Sequence, residues 1–212
     1  MTSPIEITAA VQNLIDRVGS EYEYEIIPVL PGTTIKGGRM ITGWAVWLSE
    51  FICEAEPTEV WENEQGELIA VTTPHVPVDR LLFIPDDNIT PEGKHIRVSV
   101  SNNPLVDHLI ALADLKDFLV PYGTVLEDGK VNFNTYTGNV YNHYDALFNN
   151  LLLFLSEGKK IGAKCYCGSM KPYSQCHGKN LAAAIEEDKK AVKKFNDALN
   201  EEEVVKEEVK AL

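Results

Sequence analysis

Cysteine is scarce in this chain: four residues in 212, beside 14 glycines and 11 prolines. The protein is expected in the cytoplasm, where free thiols stay reduced and clustered cysteines favour metal over disulfide. Long apolar runs are missing too. No stretch of about 18 or more uncharged apolar residues occurs, so no helix is expected to span a membrane. The opening segment, MTSPIEITAAVQNLIDRVGS, lacks a basic region followed by an apolar one. It reads as an amphipathic helix with Thr2 or Ser3 at its start and Pro4 in its first turn, not as a signal peptide. Basic residues are outnumbered, 19 Lys and Arg against 32 Asp and Glu, for a formal net charge of −13. Residues 1–100 hold 16 of those acids and 6 of the bases. That balance argues against direct nucleic-acid binding by this acidic body. A phosphate loop is absent as well: PGTTIKGG has neither the G-x-x-x-x-G-K-[ST] spacing nor a following helix.

What is present reads as two kinds of periodicity. Tyr22–Leu30, Ile41–Ser49, Phe51–Glu62, Gly66–Thr73 and the runs DRLLFIPDD and KHIRVSVS are rich in β-branched and aromatic residues. They predict about six short strands, mostly antiparallel because their connections are short. Pro57 is expected to make a bulge or an edge within its strand. From Asn103 the period changes to that of a helix. Leu105, Leu109, Leu112, Leu115 and Leu119 mark one helix, with Pro104 in its first turn and Gly123 beyond its end. Leu147, Leu151, Leu152 and Leu155 mark the buried face of a second. Leu181, Ile185, Val192, Phe195 and Leu199 form the stripe of a third, whose exposed face carries the favourable pairs Glu186–Lys190 and Glu202–Lys206. The class is α+β: an antiparallel sheet with helices, then a small metal knuckle, then a C-terminal helix. The corresponding segments are an α+β main domain over 1–160, a knuckle over 161–180 and a charged amphipathic helical tail over 181–212.

Three of the four cysteines fall between Lys164 and Lys179, in KCYCGSMKPYSQCHGK. Cys165, Cys167, Cys176 and His177 have the spacing C-x-C-x8-C-H. Zinc takes four such soft or borderline ligands in a tetrahedron. Each dyad can grip one edge if the chain turns back between them, and Gly168, Ser169 and Pro172 permit the turn. Four filled positions leave no place for a reactive water, so the site is expected to be structural. Three thiolates and one divalent ion leave one negative charge, which Lys164, Lys171 and Lys179 offset. The alternative for these residues is unligated thiols or a local disulfide.

The same stretch resembles the SEC-C motif, the small zinc-binding module at the end of the SecA translocation ATPase. Cys165, Cys167, Gly168, Ser169, Lys171, Tyr173, Cys176, His177 and Gly178 match its pattern, and Met170 stands where a glycine is usual. The resemblance covers about residues 162–180. It implies bound zinc and a contact surface for a protein partner, as in SecA, where the module meets the chaperone SecB. It does not imply the activity of the rest of the chain.

A second, looser resemblance lies upstream. Gly43, Trp44, Trp47, Glu54, Ala55, Glu56, Val60, Trp61, Glu62, Gly66, Leu68, Thr72, Pro85 and Asp86 are similar to a segment of uncharacterised bacterial proteins that carry a SEC-C motif. That pattern implies a thiol-hydrolase or transglutaminase-like arrangement, with a His and an Asp serving a cysteine. This chain has Thr58 and Ala70 at those two places, so the front domain is expected to be catalytically inert. Three functions follow as expectations. The first is a zinc-binding adaptor that meets a protein or ribosomal surface through the knuckle. The second is a thiol-dependent hydrolase or transglutaminase-like enzyme using Cys53, with His75 as its candidate partner. The third is an acidic inhibitor or mimic that competes for the basic partner of a nucleic acid. Cys53 itself and the tryptophans Trp44, Trp47 and Trp61 read as core. Glu54, Glu56, Glu59 and Glu62 read as a solvated strand face, with an acid or metal cluster as the alternative.

Overall fold

The computed structural model describes residues 4–19, 21–74, 76–126 and 130–210, with side chains described between residues 9 and 201. The expected capping residues Thr2 and Ser3, and the Glu202–Lys206 pair, lie outside what is described. The class is the expected one, an antiparallel sheet accompanied by helices. Two compact units divide the chain, Met1–Asn102 and Asn103–Leu212. This division falls where strand periodicity gives way to helical periodicity. The segments 1–160, 161–180 and 181–212 cut the chain elsewhere.

The first unit opens with helix α1 (Pro4–Val18), followed by strands β1 (Glu25–Pro28), β2 (Arg39–Leu48), β3 (Ile52–Glu62), β4 (Leu68–Ile69), β5 (Arg80–Pro85) and β6 (Ile96–Ser99). The order across the sheet is β1-β5-β2-β3-β4, and β6 pairs with β3 beside β4; every named pairing is antiparallel. The two ends of that order meet. Val29 bridges Ala70, with the Leu30 N–H donating to the Ala70 carbonyl at 2.8 Å and the Ala70 N–H to the Pro28 carbonyl at 3.0 Å. The sheet therefore curls on itself. Strand alternation then sorts the side chains into two cores. Ile27, Val29, Ala45, Val60, Ala70, Leu81 and Phe83 fill the inside of the curl. Trp44, Val46, Cys53, Ala55, Ile84 and Val98 face the other way and meet Ala10 and Leu14 of α1.

Pro57 does not bulge its strand: β2 and β3 pair residue for residue from Arg39–Glu62 to Leu48–Cys53. On the far side, β6 reaches residues 52–55 and β4 reaches 61–62. Pro57 occupies the gap between them, where its missing N–H costs no ladder bond.

Two acidic side chains of this unit, Asp86 and Glu54, are tied down. Asp86, 5% exposed, accepts from the Trp44 indole at 2.9 Å and from the Asn88 N–H at 2.9 Å. Burial pushes its carboxyl up, and these donors outweigh burial and hold it below its ordinary value. Glu54 is governed alike: burial raises it, while His95 and Arg97 bring it lower than usual. Both folded values lie below the unfolded ones. The stabilisation is therefore fully present above the ordinary carboxylate range, about 4, and is lost as pH falls through the folded values. We expect the urea midpoint followed by tryptophan fluorescence to be level from neutral pH down to about 5 and to drop below about 4. Asp86→Asn should flatten part of that drop; an unchanged profile would show that Asp86 does not contribute.

The second unit begins at α2 (Pro104–Leu119). Asn103 caps it, its side chain accepting from the Leu105 N–H. A 3-10 turn (Val120–Tyr122) leads to a hairpin of β7 (Gly123–Val125) and β8 (Val131–Phe133), then α3 (Thr135–Ser156) and, after the knuckle, α4 (Leu181–Lys210). The sequence between α2 and α3 is expected to be a polar loop, and it forms this hairpin instead. The expected leucine face of α2 is buried throughout. The other two stripes differ from expectation. On α3, Tyr144, Leu151, Phe154 and Leu155 are buried, and Leu152 turns outward. On α4, Leu181, Ile185 and Val192 are buried, and the next inward position is Asn196, not Phe195 or Leu199. The Asn196 amide donates to Thr137 Oγ1 at 3.1 Å and to the Val192 carbonyl at 2.8 Å, and its oxygen accepts from Asn134 at 2.8 Å. Asn134 also caps α3. Phe195 lies against Tyr136, ring centroids 4.8 Å apart. Glu186 pairs with Lys189, one residue earlier than expected.

Candidate metal centre

The knuckle between α3 and α4 has little regular structure, and a few backbone bonds shape it. Lys164 and Pro172 form an isolated antiparallel bridge. The Cys165 N–H donates to the Lys171 carbonyl at 2.9 Å, Tyr173 to Ala163 at 2.8 Å and Ser174 to Ile161 at 3.1 Å. Between the two arms the chain reverses through Gly168 at φ +75° and Met170 at φ +61°. A left-handed backbone is free for glycine and costs an L-residue about 1–2 kcal/mol. Met170 is 67% exposed and gains nothing from packing in return. Met170→Gly should therefore stabilise the second unit by about 1 kcal/mol, read from its thermal midpoint by far-ultraviolet ellipticity; a lower midpoint would refute the strain.

This reversal brings the two dyads together. One ligand atom from each of Cys165, Cys167, Cys176 and His177 lies within 4.8 Å of all the others, a group that can hold a metal ion. Cys165 Sγ is 3.1 Å from His177 Nδ1, Cys167 Sγ is 3.5 Å from Cys176 Sγ, and Cys176 Sγ is 3.6 Å from His177 Nδ1. A tetrahedral ion with bonds of about 2.0–2.3 Å has ligand-to-ligand edges of about 3.5–3.8 Å. Two of the three separations lie on that scale and the third is slightly shorter. Donor chemistry and spacing both fit a tetrahedral centre.

The environment separates two of the thiols. Cys165 is buried, which pushes its thiol up. Cys167 is exposed, and the Ser169 hydroxyl and backbone, with Cys176, hold it down to about 6. Behind the cluster stands an aromatic wall. The Tyr166 ring lies 4.8 Å from the His177 ring and 6.0 Å from that of Tyr173; Phe154 of α3 is 5.9 Å from Tyr173. Tyr173 is 1% exposed, and its hydroxyl is 3.2 Å from His108 Nδ1 on α2. Burial holds the His108 imidazole below its ordinary value. Gly178 has no room for a side chain: a Cβ there would sit 2.5 Å from Tyr173 Cε1. A cavity of about 260 Å³ opens beside the cluster, lined by His143, Tyr144, Cys176, His177 and Lys179 among others.

The other residues singled out in the sequence have different places. Cys53 is fully buried beneath α1, and burial pushes its thiol up to about 11, which leaves no thiolate at neutral pH. His75 lies outside the described residues, and with it the Cys53–His75 pair. Ala70 is core, and Thr58 sits opposite Gly43 in the sheet. Neither can move a proton near neutral pH. All three indole N–H groups have acceptors: Asp86 for Trp44, Glu56 for Trp47 and the Gly37 carbonyl for Trp61. Glu62 pairs with Arg39. None of Glu54, Glu56, Glu59 and Glu62 belongs to a metal-holding group among the described residues. Asp86 as an indole anchor, Phe154 and Tyr166 as the back wall, and the Glu54–His95–Arg97 cluster were not read from the sequence. No protein-family model, curated protein or solved structure matches this chain.

Proposed function

We propose that this chain is a zinc-binding adaptor of the SEC-C type, in which the metal builds a small cationic platform that docks on a protein or ribosomal surface in the cytoplasm. The observation that carries the reading is the convergence of Cys165, Cys167, Cys176 and His177 on one centre. Three sulfurs and one imidazole suit zinc better than the oxygen-preferring ions. When bound, zinc supplies a structural cross-link and no reaction, since all four positions are taken. The chain's own residues supply the rest. Tyr173 and Tyr166 fix the knuckle from behind, and Lys159, Lys160, Lys164, Lys171 and Lys179 are all exposed on this segment. No acidic residue lies between Glu157 and Glu186. A surface of that sign selects anionic partners and makes association salt-sensitive. The front unit serves as scaffold: a buried Cys53, Thr58 and Ala70 give it no thiol chemistry.

The test has two arms. Protein purified without added metal or chelator should carry one zinc per chain by elemental analysis. It should also co-sediment with purified ribosomes or bind an acidic protein surface at low salt, and lose that binding in Cys176→Ser and in the triple Lys164→Glu, Lys171→Glu, Lys179→Glu variant. Absence of zinc would end the metal reading. Binding by both variants as strong as that of the unaltered protein would end the platform.

A further inference from the structure

The geometry points to Cys167 as a peroxide-modification site that forms a disulfide with Cys176 and so dismantles the metal centre; this rests on the zinc reading above. The four cysteines differ sharply in access. Cys53 is 0% and Cys165 is 5% exposed. Cys176 is half-buried, and Cys167 stands in the open at the mouth of the turn. A peroxide must approach sulfur along the line of its breaking O–O bond, so it reaches Cys167 first. The partner thiol is already in place: Cys176 Sγ is 3.5 Å from Cys167 Sγ. Closing to a disulfide bond length of about 2.05 Å needs a shift of roughly 1.5 Å, within reach of side-chain rotation. Cys165 is a poorer partner. Its sulfur is buried and faces His177, and a bridge to Cys167 would close over the single residue Tyr166.

The chemistry balances with hydrogen peroxide as the oxidant. The Cys167 sulfur attacks one peroxide oxygen; an S–O bond forms, the O–O bond breaks and one water leaves, giving a sulfenic acid. The Cys176 sulfur then attacks the Cys167 sulfur; an S–S bond forms, the S–O bond breaks and a second water leaves. The two metal-bound thiolates give up two electrons, solvent supplies two protons, the ion is set free, and one peroxide is reduced to two waters. Cys165 and His177 remain, two donors where a structural site needs four. The platform would thus be lost under peroxide and regained with a thiol reductant and metal.

The purified protein, as isolated, is titrated with hydrogen peroxide. Released zinc is followed with a colorimetric chelator, and cysteine-containing peptides are mapped by mass spectrometry without reduction. The expected result is a Cys167–Cys176 cross-linked peptide rising in step with zinc release, one for one, and reversal of both by dithiothreitol and zinc. Cys53→Ala should behave the same. A bridge containing Cys165, zinc release with both thiols intact, or a sulfinic acid at Cys167 with zinc retained would each overturn the proposal. Metal-free protein that still joins Cys167 to Cys176 supports the modification site while refuting the zinc reading, and zinc-loaded protein that resists peroxide does the reverse.

Discussion

Cys176→Ser is expected to leave purification without metal and to lower the thermal midpoint of the second unit by roughly 20 °C or more. The size follows from how little else shapes the knuckle. Residues 161–180 contain one isolated bridge and one short 3-10 turn, and Cys165 and Tyr173 are their only fully buried side chains. A structural zinc supplies about 10–16 kcal/mol to a zinc-finger peptide. If a third of that survives as stability here, the loss is on the order of 3–5 kcal/mol, and a domain of this size shifts by about 4–8 °C per kcal/mol. The chain offers a clean readout. All three tryptophans, Trp44, Trp47 and Trp61, belong to the first unit, and the second is predominantly helical. Ellipticity at the helix band should therefore show the early transition, while the indole transition keeps its midpoint. Removing metal from the wild-type protein with a strong chelator should reproduce the effect, and restoring zinc should reverse it. A variant that melts with the wild-type protein would remove any structural role for the centre.

What could be read from the sequence was whatever depends on short-range pattern. The four ligands and their turn lie within thirteen residues, Cys165 to His177, and the strands of the first unit announce themselves by alternation. The leucines of α2 recur at 3 and 4 and are all buried because that helix packs one continuous face. Long-range choices were not legible. Nothing local says that β5 should insert between β1 and β2, or that Val29 should meet Ala70 and curl the sheet. Nor does local pattern show a buried polar group that finds its partners elsewhere. Asn196 enters the bundle because Asn134 and Thr137, some sixty residues earlier, satisfy it, and that choice turns Phe195 and Leu199 outward. Asp86 is buried for the same reason, as the acceptor of Trp44. The β7–β8 hairpin carries a local signal in the sequence, where Val125 and Leu126 precede, and Val131 and Phe133 follow, Asp128-Gly129.

Tyr173→Ala separates the metal from the packing that surrounds it. The ring is almost wholly buried, with Phe154 behind it, Tyr166 beside it, His108 at its hydroxyl and Gly178 against its edge. Truncating a buried aromatic costs about 3–5 kcal/mol, the lost transfer energy plus the cavity left behind. The four ligands are not touched, and the Tyr173 backbone can still donate to Ala163 and accept from Gly178. The variant should therefore retain one metal per chain while its helical transition falls by about 10 °C or more. Tyr173→Phe gives up only the hydroxyl contact with His108 and should cost about 1 kcal/mol. If Tyr173→Ala instead loses its metal, the ring is a precondition for assembling the site, and the knuckle is folded by the helices as much as by its ion. If it keeps both metal and stability, the knuckle is an appendage held by the ion alone, and Phe154 and His108 contribute nothing to it. The near-complete burial of Tyr173, against residues of both α2 and α3, favours the first of these three outcomes: a centre that the metal closes and the aromatic ring joins to the bundle.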